Sequence, residues 1–281
     1  MYVYFDIGGT KTRVATSTDE TTFTEPVKFA TPRDLDALFE EIERVARELG
    51  GDDTIEAAGG GIACPVDRTN HALGWAPNLP EEWTQRSFVD ELGTKLGCPV
   101  YIDNDTAVIG VGEAHHGSGQ GYEVMVYITI STGVGGARIV NGSSASIGMS
   151  AEPGRQYIDI SKQACANCDS GNAQLMLSGA NMERRYGVKP YEVTDPEVWE
   201  EMSLWAAYML ANTTVHWAPD CIVLGGSMIT GDPAIAVDRI AAHLKDVLVF
   251  PKVPELRQAA LGDFGGIYGA MEFVRQRHTG A

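Results

Sequence analysis

The chain has 281 residues, 44% of them hydrophobic, and a formal net charge of −17. That is enough apolar material for one large or two moderate folded domains. The charge excludes the clustered basic face that nucleic acid or an anionic membrane requires, and no apolar run approaches the roughly 18 residues of a membrane span.

Lysine is scarce, while acidic residues crowd stretches such as Asp34 to Glu48 and Asp195 to Glu201. Such a surface repels itself in dilute buffer and relaxes when salt shortens the Debye length to about 3 Å at 1 M, so a halophile's protein is expected. Cys64, Cys98, Cys165, Cys168 and Cys221 are scattered among mostly apolar neighbours, which predicts reduced thiols. The first residues pass directly into a strand without a basic leader, and a cytoplasmic protein is expected.

Tyr2 to Ala15 is apolar, breaks at Gly8-Gly9 and small polar residues, and becomes apolar again, which predicts strand, tight turn, strand. Gly8 and Gly9 would let backbone N–H groups approach a phosphate, with Thr10 and Lys11 adding a hydroxyl and a positive charge. Asp6, at the strand end, could hold Mg2+ beside that phosphate. The same glycine pair also suits an ordinary hairpin.

A third strand is predicted over Thr22 to Thr31, then a helix with Thr31 as N-cap, Pro32 in its first turn and Leu35, Leu38, Phe39, Ile42, Val45, Ala46 and Leu49 on one face. Ile55 to Ala63 reads as a strand whose Gly59-Gly60-Gly61 run signals backbone crowding, by a ligand or by the core. A polar loop from Asp67 to Pro80 carries Asn78, either a hydroxyl-recognising residue or a turn former, and a helix through Trp83, Phe88, Val89, Leu92 and Leu96 follows. Pro99 to Ile102 is a short strand, and Asp103-Asn104-Asp105-Thr106-Ala107 opens an apolar helix.

Tyr122 to Ile130, the turn Ser131-Thr132-Gly133-Val134-Gly135-Gly136 and Ala137 to Val140 repeat the opening pattern. Two related α/β halves, each with a phosphate-binding hairpin, are expected. Asn141 to Gly171 reads as loops bearing Glu152 and Arg155. Helices are predicted over Ala173 to Tyr186, Pro196 to His216 and Ala234 to Leu248, with strands at Asp220 to Ser227 and Leu256 to Leu261 and a last helix from Ile267 to Arg275 after Gly265-Gly266. Gly225-Gly226 stop a buried strand, as at the ligand edge of an α/β sheet.

Glycine turns at Gly8-Gly9, Gly133 to Gly136, Gly225-Gly226 and Gly265-Gly266, in this order, resemble the phosphate and adenosine motifs of the actin-like ATPase (ribonuclease H-like) fold. The resemblance narrows to the ROK family (repressors, open reading frames and kinases). Asp6-Ile7-Gly8-Gly9-Thr10-Lys11 is similar to its first phosphate motif and Asn104-Asp105-Thr106-Ala107 to its catalytic motif. Ile222 to Gly226 and Leu261 to Ala270 are similar to its C-terminal adenosine-side motifs, and Ile62-Ala63-Cys64-Pro65-Val66 resembles the allied bacterial glucokinases.

The resemblance implies an α/β protein with two domains, 1–109 plus 265–281 and 110–264, and a cleft between them. It implies ATP held by Gly8, Gly9, Thr10, Lys11, Thr132, Gly133, Gly225 and Gly226, with Mg2+ at Asp6. A hexose would meet Asn78, Asn104, Asp105, Glu152, Arg155 and Gln174. Asp105 is the expected general base, because γ-phosphoryl transfer needs a carboxylate at the acceptor hydroxyl and the start of a helix keeps it ionised; an ordinary N-cap is the other reading. A homodimer and no nucleic-acid or membrane partner are expected.

Three departures qualify the resemblance. The family's Glu-x-Gly-His stands here as Glu152-Pro153-Gly154-Arg155, its Cys-x-Cys-Gly-x-x-Gly-Cys-x-Glu zinc segment as Cys165 to Gln174, and its sugar-contacting glutamate as Gln174. Four zinc ligands are not in reach, so no structural zinc is expected. Arg155 then either contacts the substrate or braces the loop by pairing with Asp159 or Asp169. A kinase for an amino or acidic sugar and a catalytically silent sugar binder remain as alternatives. A sugar-sensing repressor would add a helix-turn-helix ahead of the first strand, and an iron-sulfur ATPase would use Cys165 and Cys168.

Overall fold

The computed structural model describes residues 1–145, 148–163, 165, 168, 170–250 and 252–278. In chain order the elements are β1 (Tyr2–Ile7), β2 (Lys11–Ser17), β3 (Val27–Ala30), α1 (Leu35–Gly50), β4 (Ala57–Ile62), β5 (Val66–Asp67), β6 (Ala72–Leu73), α2 (Phe88–Leu96), β7 (Val100–Asn104) and α3 (Asp105–His116). They continue as β8 (Val124–Ile130), β9 (Val134–Val140), β10 (Ser143–Ser144), α4 (Ala173–Leu177), α5 (Gly179–Tyr186), α6 (Pro196–Trp217), β11 (Cys221–Gly225), α7 (Ser227–Thr230), α8 (Val237–Val247), β12 (Glu255–Gln258) and α9 (Gly265–His278).

The chain forms two compact units, one of Met1–His116, Gly142–Ser150 and Asp263–Ala281, the other of Gly117–Asn141 and Ala151–Gly262. The expected boundary at 109/110 falls inside α3. That helix is not divided, because it lies against α9: a Cβ on Gly112 would meet Gly265 O and Gly269 N, each at 2.8 Å. The segment 142–150, assigned to the second domain from sequence, belongs to the first unit.

In the first unit the strand order is β3-β2-β1-β4-β7, with β1 antiparallel to β2 and parallel to β4. β1 alternates as its sequence dictates. Val3, Phe5 and Ile7 pack with Leu38, Phe39 and Ile42 of α1 and Phe88 and Leu92 of α2, whereas Tyr2 and Tyr4 pack with Val108 of α3 and Ile267, Ala270 and Val274 of α9. Helices on both faces keep the parallel strands dry, which is why β4 tolerates no polar residue and Ala57–Ile62 is buried throughout.

The second unit repeats this arrangement: β9, β8, β11 and β12 are hydrogen-bonded neighbours in that order, with β8 antiparallel to β9 and parallel to β11. Val126, Ile128, Ile222 and Leu224 pack against Met202, Trp205 and Leu210 of α6. That helix starts as the sequence indicates, with Asp195 accepting from Glu197 N and Pro196 in the first turn.

Several predicted boundaries moved for identifiable reasons. α1 is capped by Asp34, whose carboxylate accepts from Ala37 N at 2.9 Å, and not by Thr31, whose hydroxyl donates to Gly8 O at 2.7 Å. The helix expected from Trp83 to Leu96 is a 3-10 turn over Glu81–Gln85 and then α2, separated by the extended Arg86 (φ −115°, ψ 150°). The helix expected from Ala173 to Tyr186 breaks at Ser178, which caps α5, and the next N–H, of Gly179, donates to Ser131 O at 2.7 Å.

Cys165 and Cys168 are not the reduced thiols expected of them. They form a disulfide, with Cα atoms 5.4 Å apart because the turn places Cys168 N 3.1 Å from Cys165 O. Cys64, Cys98 and Cys221 carry free thiols.

Candidate active site

In the first unit the site is built at the β1–β2 turn. Gly8 N donates to Lys11 O at 3.0 Å, which closes the turn and leaves Thr10 and Lys11 exposed. Thr31 holds the turn from behind: its N donates to Thr10 O at 3.0 Å, its hydroxyl to Gly8 O, and the buried Thr12 hydroxyl lies 3.0 Å from it. Gly9 has a second reason to be glycine. A Cβ there would stand 2.6 Å from Asn78 Cβ, so the loop bearing Asn78 lies directly on the turn. Arg33 keeps that loop in place by donating to Asn78 O at 3.1 Å.

Asp6 points to the face that α9 covers, and a Cβ on Gly266 would meet its carboxyl carbon at 2.6 Å. Burial pushes the Asp6 carboxyl above its ordinary value, against the pull of Arg13, 3.4 Å away. A partly buried carboxylate at the head of the glycine turn could fill one ligand position of a magnesium ion. Among the described residues no cluster of three or more His, Cys, Asp or Glu side chains could hold a metal by itself.

Asn104 ends β7 and Asp105 opens α3. Asn104, not Asp105, acts as the helix cap: its Oδ1 accepts from Thr106 N at 3.1 Å while its Nδ2 donates to Cys64 O at 3.1 Å. The half-buried Asp105 carboxylate accepts from Thr106 N at 2.7 Å. Its negative charge is felt by Cys64, whose thiol burial and Asp105 together push up to about 12. Gly61 permits this placement, since a Cβ there would lie 2.7 Å from Asp105 Cα. The glycine run of β4 therefore answers to protein packing: Gly60 faces Phe5, and Gly59 faces Tyr101 and Val274.

Two further residues stand behind this turn. Asp103 is fully buried, and Arg68 reaches it from the loop between β5 and β6, with Nη2 2.6 Å from Oδ1 and Nε 2.9 Å from Oδ2. Arg68 left no signal in the sequence; Thr31 was expected as a helix cap, Gly61 as part of a crowded glycine run, and Asp103 as part of the segment opening a helix, none of them with the role found here.

In the second unit the β8–β9 turn is closed by Ser131 N donating to Gly133 O at 2.8 Å, and Thr132 is exposed. Gly225 and Gly226 lie against it. Gly226 has φ 87°, and a Cβ there would meet Ile130 O at 2.4 Å; a Cβ on Gly225 would meet the Tyr127 hydroxyl at 2.4 Å. Ser131 and Ser227 hydroxyls, 3.1 Å apart, join the two turns. Thr132, Gly133, Gly225 and Gly226 are thus assembled in one place.

The three residues expected on the sugar side of this unit behave differently from one another. Gln174, on α4, accepts from Val134 N at 3.2 Å through its side-chain oxygen and so supports the β8–β9 turn. Glu152 is exposed at its surface, but partial desolvation raises its carboxyl and Arg155 opposes the shift. It lines a cavity of about 480 Å³ together with Gln156, Tyr157, Asn212, Thr213, His216 and Trp217.

Arg155 is exposed, and its guanidinium has no hydrogen bond or ion pair among the described residues. The expected brace to Asp159 is absent. Asp159 accepts instead from Ser161 Oγ, Gln163 N and Cys165 N, because its own turn presents those donors first. The alternative partner Asp169 lies outside the described residues. The loop is fastened by the disulfide and by Arg185, whose Nη1 is 3.4 Å from Cys165 Sγ and whose Nη2 donates to Met176 O at 2.9 Å. Bridged sulfurs are not thiolates, so in this state neither can ligate zinc or iron.

The sequence model of the ROK family matches residues 2–277. A glucokinase of Streptomyces coelicolor is 25% identical over 313 aligned positions, covering 96% of each chain. A fructokinase of Lactococcus lactis subsp. cremoris is 26% identical, covering 94% of this chain and 97% of its own. Among solved structures, a ROK family glucokinase from Streptomyces griseus in complex with glucose and AMPPNP is similar in fold, with a TM-score of 0.77, 23% identity and 98% and 99% of the two chains covered.

Proposed function

The chain belongs to the ROK family, and on that premise we propose that it is an ATP-dependent sugar kinase, transferring the γ-phosphoryl group of ATP to a hydroxyl of a glucose-like hexose. The observation that carries this reading is the contact of Asn78 with Gly9. Within one unit, the loop expected to meet the sugar lies on the turn expected to meet the phosphate, as transfer between the two requires. The relatives named above act on glucose and fructose, so a hexose is the common denominator.

Asp105 serves as general base. It accepts the proton of the acceptor hydroxyl as that oxygen bonds to the γ-phosphorus and the bond to the ADP oxygen breaks, leaving sugar phosphate, ADP and a proton. Asn104 holds the start of α3 rigid by capping it, so Asp105 needs no reorganisation to act. The turns at Gly8, Gly9, Thr10 and Lys11, and at Thr132, Gly133, Gly225 and Gly226, bind the phosphates and adenosine side of ATP. Asp6 would hold Mg2+, which when bound neutralises the β- and γ-phosphate oxygens.

Glu152 contributes to the sugar side. A second reading, a kinase for an acidic sugar, is favoured by the exposed Arg155, which has no partner among the described residues: five donors in a flat fork suit an anionic substituent better than a neutral hexose. An amino sugar would suit the neighbouring Glu152 instead.

We further propose a cytoplasmic, salt-adapted homodimer without nucleic-acid or membrane partners. Its support is the charge of −17 and the exposed Tyr208 and Val215, seven residues apart on one face of α6. Light scattering in molar KCl tests the dimer.

The deciding experiment is ADP release by purified protein against a panel of hexoses, amino sugars and sugar acids in molar KCl. Sugar-dependent release is expected, and Asp105→Asn should lose about 10²–10⁴-fold of it while still binding ATP. Binding of both ligands without release for any sugar would identify a silent sugar-binding member. Near-normal turnover of Asp105→Asn would remove that residue from the mechanism.

A further inference from the structure

We propose that Arg68 is a positioning residue for phosphoryl transfer, setting the Asn104–Asp105 turn through its bidentate contact with Asp103. The inference rests on the reading of Asp105 as base. Both side chains of the pair are almost wholly buried, at 7% and 1% exposure. Arg68 Nη2 lies 2.6 Å from Oδ1 and 2.7 Å from Oδ2, with Nε 2.9 Å from Oδ2, so the planar fork fixes the carboxylate in both position and plane. The fixed carboxylate acts directly on the catalytic turn: its Oδ1 accepts from Asn104 N at 2.7 Å. Asn104 in turn caps the helix that Asp105 opens. Guanidinium, Asp103, Asn104 backbone and α3 thus form an unbroken chain ending at the base.

The same guanidinium reaches Ser144 Oγ at 3.1 Å and Gly148 O at 3.5 Å. Ser150 Oγ lies 3.2 Å from Val66 N and 3.4 Å from Val66 O, so Ser144, Gly148 and Ser150 are fastened to the β5–β6 segment around Arg68. Burial raises the Asp103 carboxyl and Arg68 opposes the shift, so the fork also supplies the charge that makes the carboxylate tolerable there. A lysine in the same place would supply the charge as a point and not the plane.

The test separates holding the fold from placing the base. Arg68→Lys and the double substitution Arg68→Met/Asp103→Leu are compared with wild type and Asp105→Asn by melting temperature, by ATP and sugar binding, and by kcat and KM. The double variant leaves no buried charge unpaired and should melt close to wild type. Both should bind ATP normally while kcat falls about 10- to 100-fold, the loss expected of a catalytic group displaced by about 1 Å. Near-wild-type kcat in the folded double variant, or full rescue by lysine, would overturn the proposal, the pair then being structural only. If Asp105→Asn also turns over normally, the base assignment itself has failed; if Asp105→Asn is inactive and both Arg68 variants are not, only the present inference has.

Discussion

Replacing Gly61 by alanine tests whether Asp105, the carboxylate proposed as general base, is placed by packing against β4. The new Cβ would lie 2.7 Å from Asp105 Cα and 3.3 Å from Asp105 Cβ, where carbon atoms prefer about 3.5–4.0 Å. β4 cannot yield easily, since it is paired in register on one side with β1 (Asp6 with Gly61) and on the other with β7 (Gly61 with Asp103). The start of α3 must therefore retreat, by about 1 Å at the base. Overpacking of this kind costs about 1–3 kcal/mol, a fraction of the roughly 5–15 kcal/mol of a folded domain, so the variant stays folded. A displacement of that size at a reacting group is worth up to about 10²-fold in rate. Steady-state ADP release at saturating ATP and sugar, with a thermal melt of the same sample, should show kcat reduced about 10- to 100-fold, little change in KM for ATP and a melting point lower by a few degrees. A melting point that falls while kcat stays at the wild-type value would refute the reasoning.

Gly9→Val drives a branched side chain into Asn78, 2.6 Å from where its Cβ would sit, so ATP and sugar affinity should weaken together in a protein whose circular dichroism is unchanged; loss of ATP affinity alone would show that the two loops are independent. The melting temperature should rise between dilute buffer and molar KCl, because the charge of −17 is then screened, and a flat or falling curve would remove the halophilic assignment. Arg155→His should leave the melting temperature nearly unchanged, since the guanidinium makes no ion pair among the described residues, and should shift preference from acidic towards neutral sugars. An unchanged sugar ranking would show that Arg155 does not read the substrate.

The duplicated plan was legible in the chain because it is written locally. β1 and β8 alternate or run apolar, each ends at a glycine turn, and each is followed by a returning strand, so the strand-turn-strand signal needs no distant partner. The same holds for the Asn104-Asp105 pair at a strand-to-helix junction and for the Gly225-Gly226 stop after β11. Capping was less legible: Thr31 and Asp34 are both good caps, and only the demand of Gly8 O for a donor assigned Thr31 elsewhere.

What tertiary structure alone decided are contacts between residues far apart in the chain. Asn78 lies on Gly9, Arg68 grips Asp103 across 35 positions, and Gln174 accepts from Val134 N across 40. Cys165 and Cys168 look the same in sequence as thiols or as a bridge until a turn brings their Cα atoms to 5.4 Å. Local periodicity and glycine placement determine which elements form, because backbone sterics and side-chain alternation act over a few residues. The partner of a buried carboxylate, or the side chain that closes on a glycine, depends on which segments the finished core brings within a few ångströms, and no local pattern carries that.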